Sequence, residues 1–296
     1  MRTIRTVAEL RAALAAHRGL RIGLVPTMGA FHDGHLALMR RARADTDVVV
    51  VSLFVNPSQF NERADLDRYP HDEARDGALA ADLGVDYLFA PAVTEVYPDG
   101  FATTVTVDAR LTGVLEGAQR GRTHFDAVTT VVSKLFNMVG PDIAYFGQKD
   151  AQQALVIRRM VQDLNLAIGI VVVPTVRDHD GLAMSSRNML LSGTERQRAT
   201  ALHRALRLAR HAIDAGERDP NPIKARVYAE LTGSGVEPQY FELVEPDTLV
   251  PVQRINGEVL AVVAARVGAT RLIDNETLSP SDRPSSQEQI ECVTRC

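Results

Sequence analysis

The feature that most constrains the fold of this chain is a series of short, almost wholly apolar runs in its first 178 or so residues, separated by segments with helical periodicity. Strands that are buried on both faces need such continuous apolar runs, whereas strands with one wet face alternate polar and apolar residues. Alternation of strand and helix is typical of a parallel sheet covered by helices. We therefore predict an α/β fold, a doubly wound parallel sheet of the Rossmann-like type, over 1–177.

The periodicity places the elements of this domain and of a second, smaller one. Strands are predicted at 21–28, 48–55, 86–90, 143–147 and 167–175, and helices at 34–44, 72–83, 125–139 and 150–163. Near the N-terminus, Thr6 and Glu9 have the spacing of a helix capping box. After residue 178 the pattern changes to a long helix over 194–215, a break at 219–222, a shorter helix and strands at 240–244, 259–267 and 270–273. We predict a small α+β lid domain over 178–278 and, because 279–296 are polar without an apolar period, a disordered tail.

Composition excludes several classes of protein. The formal net charge is -4, so the chain offers no basic field for nucleic acid or for an anionic membrane. The longest apolar runs are far shorter than the roughly 20 residues of a membrane-spanning helix, and the first residues lack the apolar core of a secretory signal. Both cysteines, Cys292 and Cys296, lie in the predicted tail, which leaves the folded part without a disulfide or a thiolate site. These features predict a cytoplasmic protein.

The loop after the first predicted strand, PTMGAFHDGH, is the first of four candidate binding loops, since ligands of an open α/β sheet bind beyond the carboxyl ends of its strands. Gly29 and Gly34 have the spacing of a P-loop, but His35 and Leu36 replace its Lys and Ser/Thr, which excludes a Walker NTPase. His32 and His35 lie at the start of a helix, where backbone N–H groups and the helix dipole favour phosphate. Two other interpretations stay open: one histidine caps the helix, or the pair binds a metal ion.

Amide and ammonium groups follow two further strands. Asn56 and Gln59 offer donors and acceptors for a substrate hydroxyl or carboxylate, although Asn-Pro is also ordinary turn chemistry. Lys149 follows the fourth predicted strand in a chain where only three of 33 cationic side chains are lysines, which indicates a compact charge placed for phosphate. Asp150 can cap the following helix, and Gln153 lies one turn inside it.

The fourth loop follows the predicted domain boundary. Ser185 and Ser186 precede Arg187, and hydroxyls beside a cation at a hinge predict a clamp that closes on phosphate oxygens. An exposed turn is the alternative interpretation. The nearby stretch 178–180 (Asp-His-Asp) has the composition of a metal cluster. Three consecutive side chains point in different directions, however, so no metal site is predicted from protein side chains.

Together these segments resemble the pantothenate synthetase (pantoate:β-alanine ligase) family, which belongs to the superfamily of cytidylyltransferases and class I aminoacyl-tRNA synthetases. The segments that carry the resemblance are PTMGAFHDGH, FVNPSQF, FGQKDAQQ, VPTVRDHDGLAMSSRN and TRLIDN. No single segment is decisive, but their joint occurrence, from the N-terminus to about Asn275, is very specific. Two departures stand out, because His71-Asp72 replaces an Arg-Thr common in the family and Gln148 replaces a frequent Glu.

The resemblance implies roles for individual residues. His35 would be a proton donor and His32 a phosphate contact, while Lys149 and Arg187 would complete the catalytic set. The loop that carries Arg187 would close over the triphosphate. The residues implied to bind ATP are Met28, Gly29, Ala30, Phe31, His32, Asp33, Gly34, His35, Gly147, Gln148, Lys149, Asp150, Val176, Met184, Ser185, Ser186 and Arg187.

The resemblance also implies a two-step reaction that uses ATP with Mg2+ in a homodimer. The pantoate carboxylate attacks the α-phosphate of ATP, and β-alanine then attacks the pantoyl adenylate, which releases AMP. Gln59 would bind both pantoate and β-alanine, and Gln153 would bind pantoate.

Two other functions stay open. A nucleotidyltransferase acting on a phosphorylated small molecule would use the same histidine loop, but the neutral Gln59 and Gln153 argue against a substrate phosphate. A non-catalytic nucleotide-binding sensor would have lost some of the four predicted catalytic residues, and all four are present.

Overall fold

The computed structural model describes three stretches of the chain: 1–60, 63–67 and 69–280. The chain divides into two compact units, of which the first comprises Met1–Gln148 and Gln152–Pro174. The second comprises Lys149–Ala151 and the chain from Thr175 onward. This division falls three residues before the domain boundary predicted at 177/178. It differs in one respect, because Lys149–Ala151 group with the second unit and were predicted to belong to the first. The predicted tail lies outside the described residues from 281 onward.

The first unit has a layer of parallel strands with helices on both sides. Its strands are β1 (Arg2–Ile4), β2 (Ile22–Thr27), β3 (Val48–Leu53), β4 (Tyr87–Phe89), β5 (Ile143–Gly147) and β6 (Gly169–Val173). Its α-helices are α1 (Val7–Ala15), α2 (Asp33–Asp45), α3 (Arg63–Asp67), α4 (Glu73–Asp82), α5 (Val93–Val96), α6 (Ala109–Thr112), α7 (Glu116–Arg120), α8 (Arg122–Val139) and α9 (Ala151–Asp163). A 3-10 turn at Pro57–Gln59 follows β3, and another at Gln148–Asp150 follows β5.

The sheet order is β1-β4-β3-β2-β5-β6, with parallel pairing throughout. Alternate residues of β3 enter two separate cores, because Val48 and Val50 pack with α8 and α9 while Val49 and Val51 pack with α2 and α4. Burial on both faces explains why the strand is apolar at every position. The predicted doubly wound parallel sheet is confirmed.

The structure corrects several boundaries in the first unit. The predicted strands are trimmed by one or two residues at most ends, and only 143–147 matches in full. The short edge strand β1 was not predicted, because Ile4 is its only buried residue. The capping box predicted from Thr6 and Glu9 is confirmed in part: Thr6 is the N-cap of α1, and the N–H of Glu9 donates to Oγ1 of Thr6 (3.2 Å). The helix predicted at 150–163 begins one residue later, after a 3-10 turn.

The second unit packs helices on an antiparallel sheet with the order β7-β8-β9. Its elements are α10 (Gly193–Ala199), α11 (Ala201–Asp214), α12 (Pro220–Gly233), β7 (Glu237–Val244), β8 (Val259–Val267) and β9 (Thr270–Leu278). Leu206, Ile213, Val227 and Phe241 are fully buried in one core between these layers. No helix in the described part of either unit is long and apolar enough to cross a bilayer.

Several boundaries predicted for the second unit were wrong. The break predicted at 219–222 is displaced, because α12 already begins at Pro220, and β7 begins three residues before the strand predicted at 240–244. The helix predicted over 194–215 is divided at Thr200, whose hydroxyl donates to the carbonyl oxygen of Gln197 (2.7 Å). Such side-chain bonds compete with the helical backbone pattern. The strand predicted at 270–273 continues to Leu278, because the polar Asp274 and Asn275 are buried in the sheet and do not end it.

Gly140 allows the cost of backbone strain to be measured without a steric clash. It ends α8 in the left-handed region (φ 62, ψ 52), and nothing lies within 4 Å of the place a Cβ would take. Gly140→Ala should lower the free energy of unfolding by about 1 to 2 kcal/mol and lower the Tm measured by circular dichroism.

Gly233→Ala is the matched control, because Gly233 ends α12 with equally open surroundings and without a positive φ. It should leave the Tm unchanged or raise it slightly, since alanine forms helices better than glycine. Equal shifts in the two variants would contradict this account.

Candidate active site

The loop between β2 and α2, together with the first turn of α2, carries eight of the residues predicted to bind ATP, and a buried carboxylate holds the loop backbone. Asp76 in α4 is 0% exposed, and it accepts the N–H of Ala30 at Oδ2 (2.7 Å) and that of Phe31 at Oδ1 (2.8 Å). Gly29 and Ala30 have positive φ angles of 90 and 54. A Cβ on Gly29 would lie 3.1 Å from Asp76 Oδ2, so glycine allows the loop to approach the carboxylate this closely.

Asp76 is the residue of this site that the sequence analysis missed. It lies in the helix predicted at 72–83, where an aspartate is ordinarily a surface residue. The helix begins after Asp72, whose Oδ1 accepts the N–H of Arg75 (3.0 Å). The departure His71-Asp72 therefore keeps a capping residue where the family commonly has threonine, because both residue types cap helices.

The two histidines are held by the backbone of the helix that they begin. Nδ1 of His32 accepts the N–H of Gly34 (3.2 Å), and Nδ1 of His35 accepts the N–H of His32 (3.4 Å). His32 is thus the N-cap of α2, as one of the open interpretations held. Because both Nδ1 atoms accept hydrogen bonds, each neutral ring carries its proton on Nε2. The ring centroids are 4.2 Å apart, so the two donors lie in one small region.

Asn56 organises the turn after β3. It is 1% exposed, and its Oδ1 accepts from the hydroxyls of Ser58 (2.8 Å) and Tyr97 (3.0 Å). Burial raises the pKa of Tyr97, so its hydroxyl keeps its proton and remains a donor. Nδ2 of Asn56 donates to Oε1 of Gln59 (3.1 Å) and to the carbonyl oxygen of Ala127 (3.4 Å). Asn56 therefore orients the carboxamide of Gln59.

Two adjacent glutamines at the start of α9 have different surroundings. Gln152 is buried, accepts the N–H of Glu116 at Oε1 (2.9 Å) and donates from Nε2 to two carbonyl oxygens of the segment before α7 (2.7 and 2.9 Å). Gln153 is half-buried. Gln152 thus serves the fold of the first unit, and the prediction of substrate contact stays with Gln153.

The sheet brings the predicted residues of the first unit to neighbouring strand ends. β3, β2 and β5 are adjacent, and their carboxyl ends lead to Gln59, to the loop 28–35 and to Gly147 with Gln148. The strand order reverses between β2 and β5, since β3 follows β2 on one side while β5 pairs on the other. Ligands of open α/β sheets bind at such a switch point.

The remaining predicted residues belong to the second unit. Nζ of Lys149 lies 3.7 Å from Oδ1 of Asp150, and the Lys149 side chain is 17% exposed. Val176 and Met184 are joined across a narrow hairpin, in which the N–H of Met184 donates to the carbonyl oxygen of Val176 (2.9 Å).

The serine–arginine segment forms a 3-10 turn at Ser186–Leu190. Oγ of Ser185 caps it by accepting the N–H of Arg187 (3.2 Å). Nearby, Asp178 and Asp180 both pair with Arg196 at 2.7 Å, which accounts for their clustering without a metal ion. Among the described residues no group of three or more His, Cys, Asp or Glu side chains is arranged to hold a metal.

Comparison with known proteins decides the family to which these loops belong. The family model described as pantoate-beta-alanine ligase matches residues 2–277. The chain belongs to the pantoate–β-alanine ligase family. The resemblance seen in the sequence is therefore confirmed, and the chain is a ligase of this family.

Individual members of the pantoate–β-alanine ligase family match over almost their whole length. The pantothenate synthetase of Moorella thermoacetica is 53% identical over 285 residues, which cover 95% of this chain and 100% of the relative. The crystal structure of pantothenate synthetase from Thermus thermophilus superposes with a TM-score of 0.89 at 48% identity, covering 93% of this chain and 99% of that one. The ligase from Francisella tularensis, complexed with beta-gamma ATP and beta-alanine, gives a TM-score of 0.77 at 33% identity, covering 93% and 97%.

The role of Asp76 can be tested by removing its acceptor atoms. Asp76→Ala leaves two buried N–H groups without acceptors, and each costs about 1 to 3 kcal/mol of stability. We expect a lower free energy of unfolding and faster hydrogen exchange at the amides of Ala30 and Phe31. Asp76→Asn, which keeps one acceptor oxygen, should be intermediate.

Arg75→Ala is the control for this experiment. The Arg75 guanidinium lies 3.6 Å from Asp76 but is 57% exposed, and exposed ion pairs contribute little. If the amides of Ala30 and Phe31 exchanged no faster in Asp76→Ala than in Arg75→Ala, the proposal that the Asp76 carboxylate holds the loop would be wrong.

Proposed function

We propose that this chain joins pantoate to β-alanine with the consumption of ATP, forming pantothenate, AMP and pyrophosphate. The observation that carries the proposal is the pair of imidazoles fixed at the start of α2 beside a switch point of the sheet. Membership of the ligase family gives the reaction, and the Francisella tularensis complex with beta-gamma ATP and beta-alanine supports the choice of two substrates.

In the first step, a carboxylate oxygen of pantoate attacks the α-phosphorus of ATP. The bond from that phosphorus to the bridging oxygen breaks, and pyrophosphate leaves with the electron pair. Negative charge builds on the departing oxygen, so groups that donate to it accelerate the step. We assign this role to Nε2–H of His35 and His32 and to the ammonium group of Lys149.

In the second step, the neutral amine of β-alanine attacks the carbonyl carbon of the pantoyl adenylate. The carbon–oxygen bond to the phosphate breaks, AMP leaves, and the surplus amine proton passes to solvent. Gln59 is proposed to contact pantoate and β-alanine, and Gln153 to contact pantoate. Gln59 and Gln153 would act mainly by holding the two acids in a fixed orientation. The hydrogen bond from Asn56 to Gln59 holds the Gln59 carboxamide in place for this.

The remaining ATP contacts are proposed by position. In the first unit we assign Met28 to His35, Gly147 and Gln148 to the nucleotide, and the positive end of the α2 helix dipole favours its phosphates. From the second unit we assign Asp150, Val176 and Met184 to Arg187, with Arg187 supplying charge to the phosphates.

Three further features stay proposals. Mg2+ is taken as part of the ATP substrate, because the described residues supply no cluster to hold an ion by themselves, and no step is assigned to it. A homodimer is proposed from the family resemblance. A cytoplasmic location stays a prediction from the sequence.

The proposed reaction is tested by measuring AMP formed from ATP by the purified full-length chain. AMP should appear only when pantoate and β-alanine are both present, with one pantothenate formed for each AMP. Release of pyrophosphate without free AMP, dependent on a phosphorylated alcohol instead of the two acids, would support the nucleotidyltransferase alternative. ATP binding without any turnover would support the sensor.

Lys149 is the sharpest test of the proposed first step. Lys149→Ala removes a donor to the departing pyrophosphate and should slow pantoate-dependent adenylation about 100- to 1,000-fold. Preformed pantoyl adenylate should still react with β-alanine at a nearly normal rate, because its pyrophosphate has already left.

Lys224→Ala is the control for loss of a lysine charge, because Lys224 lies in α12 and pairs with Glu242. It should leave both half-reactions within about 2-fold of the parent, as expected for a partly exposed ion pair. Adenylation by Lys149→Ala at close to the parent rate would remove Lys149 from the mechanism.

A further inference from the structure

The first six residues of β9 form the one motif of the resemblance, TRLIDN, for which no role has been assigned. Its last residue, Asn275, is 5% exposed. Nδ2 of Asn275 donates to the main-chain carbonyl oxygen of Lys149 at 2.9 Å, across 126 positions of sequence. Both residues belong to the second unit. The last strand of the fold therefore holds the backbone of the residue proposed to assist departure of pyrophosphate.

Asn275 is itself held by a buried ion pair. Oδ1 of Asp274 accepts the main-chain N–H of Asn275 (2.8 Å), and Asp274 is 3% exposed. Both terminal nitrogens of Arg177 donate to the carboxylate of Asp274, Nη1 to Oδ2 (2.6 Å) and Nη2 to Oδ1 (3.0 Å). Nη2 of Arg177 also donates to the carbonyl oxygen of Asn275 (3.3 Å). Burial raises the pKa of Asp274 and the bonds from Arg177 oppose that rise.

The placement of these two polar residues is unusual for a strand. Successive side chains of a strand point to opposite faces, so a surface strand exposes one residue in two. Asp274 and Asn275 are consecutive and both are buried, opposite Val263 and Val262 of β8. Buried polar groups need partners. The partners found here are Arg177 on one side and the Lys149 carbonyl on the other.

The hydrogen bond from Asn275 to the Lys149 carbonyl affects where the Lys149 ammonium group lies. Its ammonium group sits on a flexible four-carbon stem, so its position depends on where the main chain starts. The segment that carries Lys149 is a 3-10 turn of three residues, Gln148–Asp150, whose hydrogen-bond geometry is poorer than that of an α-helix. The bond from Asn275 to the Lys149 carbonyl gives this turn a further fixed point.

We propose that Asn275 is a positioning residue for Lys149, and that the Arg177–Asp274 pair holds Asn275 in place for that purpose. The proposal rests on the function proposed for Lys149. A purely structural Asn275 would affect stability and both half-reactions alike. A positioning Asn275 would affect chiefly the step that uses the ammonium group.

The test begins with Asn275→Ala in the full-length chain. Misplacement of a catalytic group by about 1 Å costs roughly 100-fold, so we expect adenylation to slow by about 10- to 100-fold. The turnover number should fall more than the KM for pantoate rises. Conversion of preformed pantoyl adenylate should stay within about 2-fold of the parent, since that step does not build charge on pyrophosphate.

Two further variants distinguish a loss of positioning from a loss of folding. Asn275→Asp keeps the shape of the side chain but lacks the amide donor, so it should slow adenylation as well. Thr277→Ala changes an exposed residue of the same strand and should leave both half-reactions and the Tm unchanged. If both variants of Asn275 melted far below the parent and lost both half-reactions equally, a structural role would replace the proposal.

A double-mutant cycle gives the deciding comparison. Lys149→Ala keeps the main-chain carbonyl and its bond to Asn275 but has no ammonium group to place. Adding Asn275→Ala to that background should therefore slow adenylation less than about 2-fold further, which is the non-additivity expected of residues that act through each other. An equal loss in both backgrounds would overturn the proposal.

The cycle also separates this inference from the proposed function. If Lys149→Ala adenylated normally, the role of Lys149 would fail and this inference with it. If adenylation were slow in Lys149→Ala but ran at the parent rate in Asn275→Ala, only the positioning role of Asn275 would fail.

Discussion

The parallel pairing of β2 with β3 on one side and β5 on the other is the constraint on which the site of the first unit depends. This pairing brings the carboxyl ends of three strands to one edge of the sheet. The helix that leaves β2 packs on one face, while α8 and α9 pack on the other. Open α/β sheets bind their ligands where loops leave adjacent strands toward opposite faces. The polar residues that follow these strands lie at that edge, outside the apolar layers.

A loop at this edge has a second requirement, because its backbone is partly buried and its N–H groups need acceptors. Asp76 accepts two of them, and the histidine side chains accept two more. Fixed donors are what a phosphate site needs, since groups already in place pay no reorganisation cost when charge develops. The donors that these bonds hold in place for an anion are the Nε2–H groups of the two imidazoles, so the bonds that make the loop foldable also prepare it for phosphate chemistry.

The sequence predicted the sheet well and the buried polar contacts poorly, for one physical reason. Burial of a strand on both faces leaves a continuous apolar run that can be read locally. A buried polar residue depends on a partner far away in sequence, as Asp76 depends on the backbone at Ala30 and Asn275 on the carbonyl of Lys149. Local pattern carries no sign of that partner. Asp274 and Asn275 accordingly looked like the end of a strand that in fact continues through them.

The histidines show why capping and catalysis need not be competing interpretations. A ring whose Nδ1 accepts a backbone N–H is held in one orientation and carries its proton on Nε2. An aspartate or serine at position 32 would cap the helix as well but would offer no nitrogen-bound proton to an anion. At position 35 the acceptor bond to the N–H of His32 has the same consequence. Helix capping thus sets the tautomer that the proposed chemistry requires, and the structural role of each imidazole is the means by which it can act on phosphate.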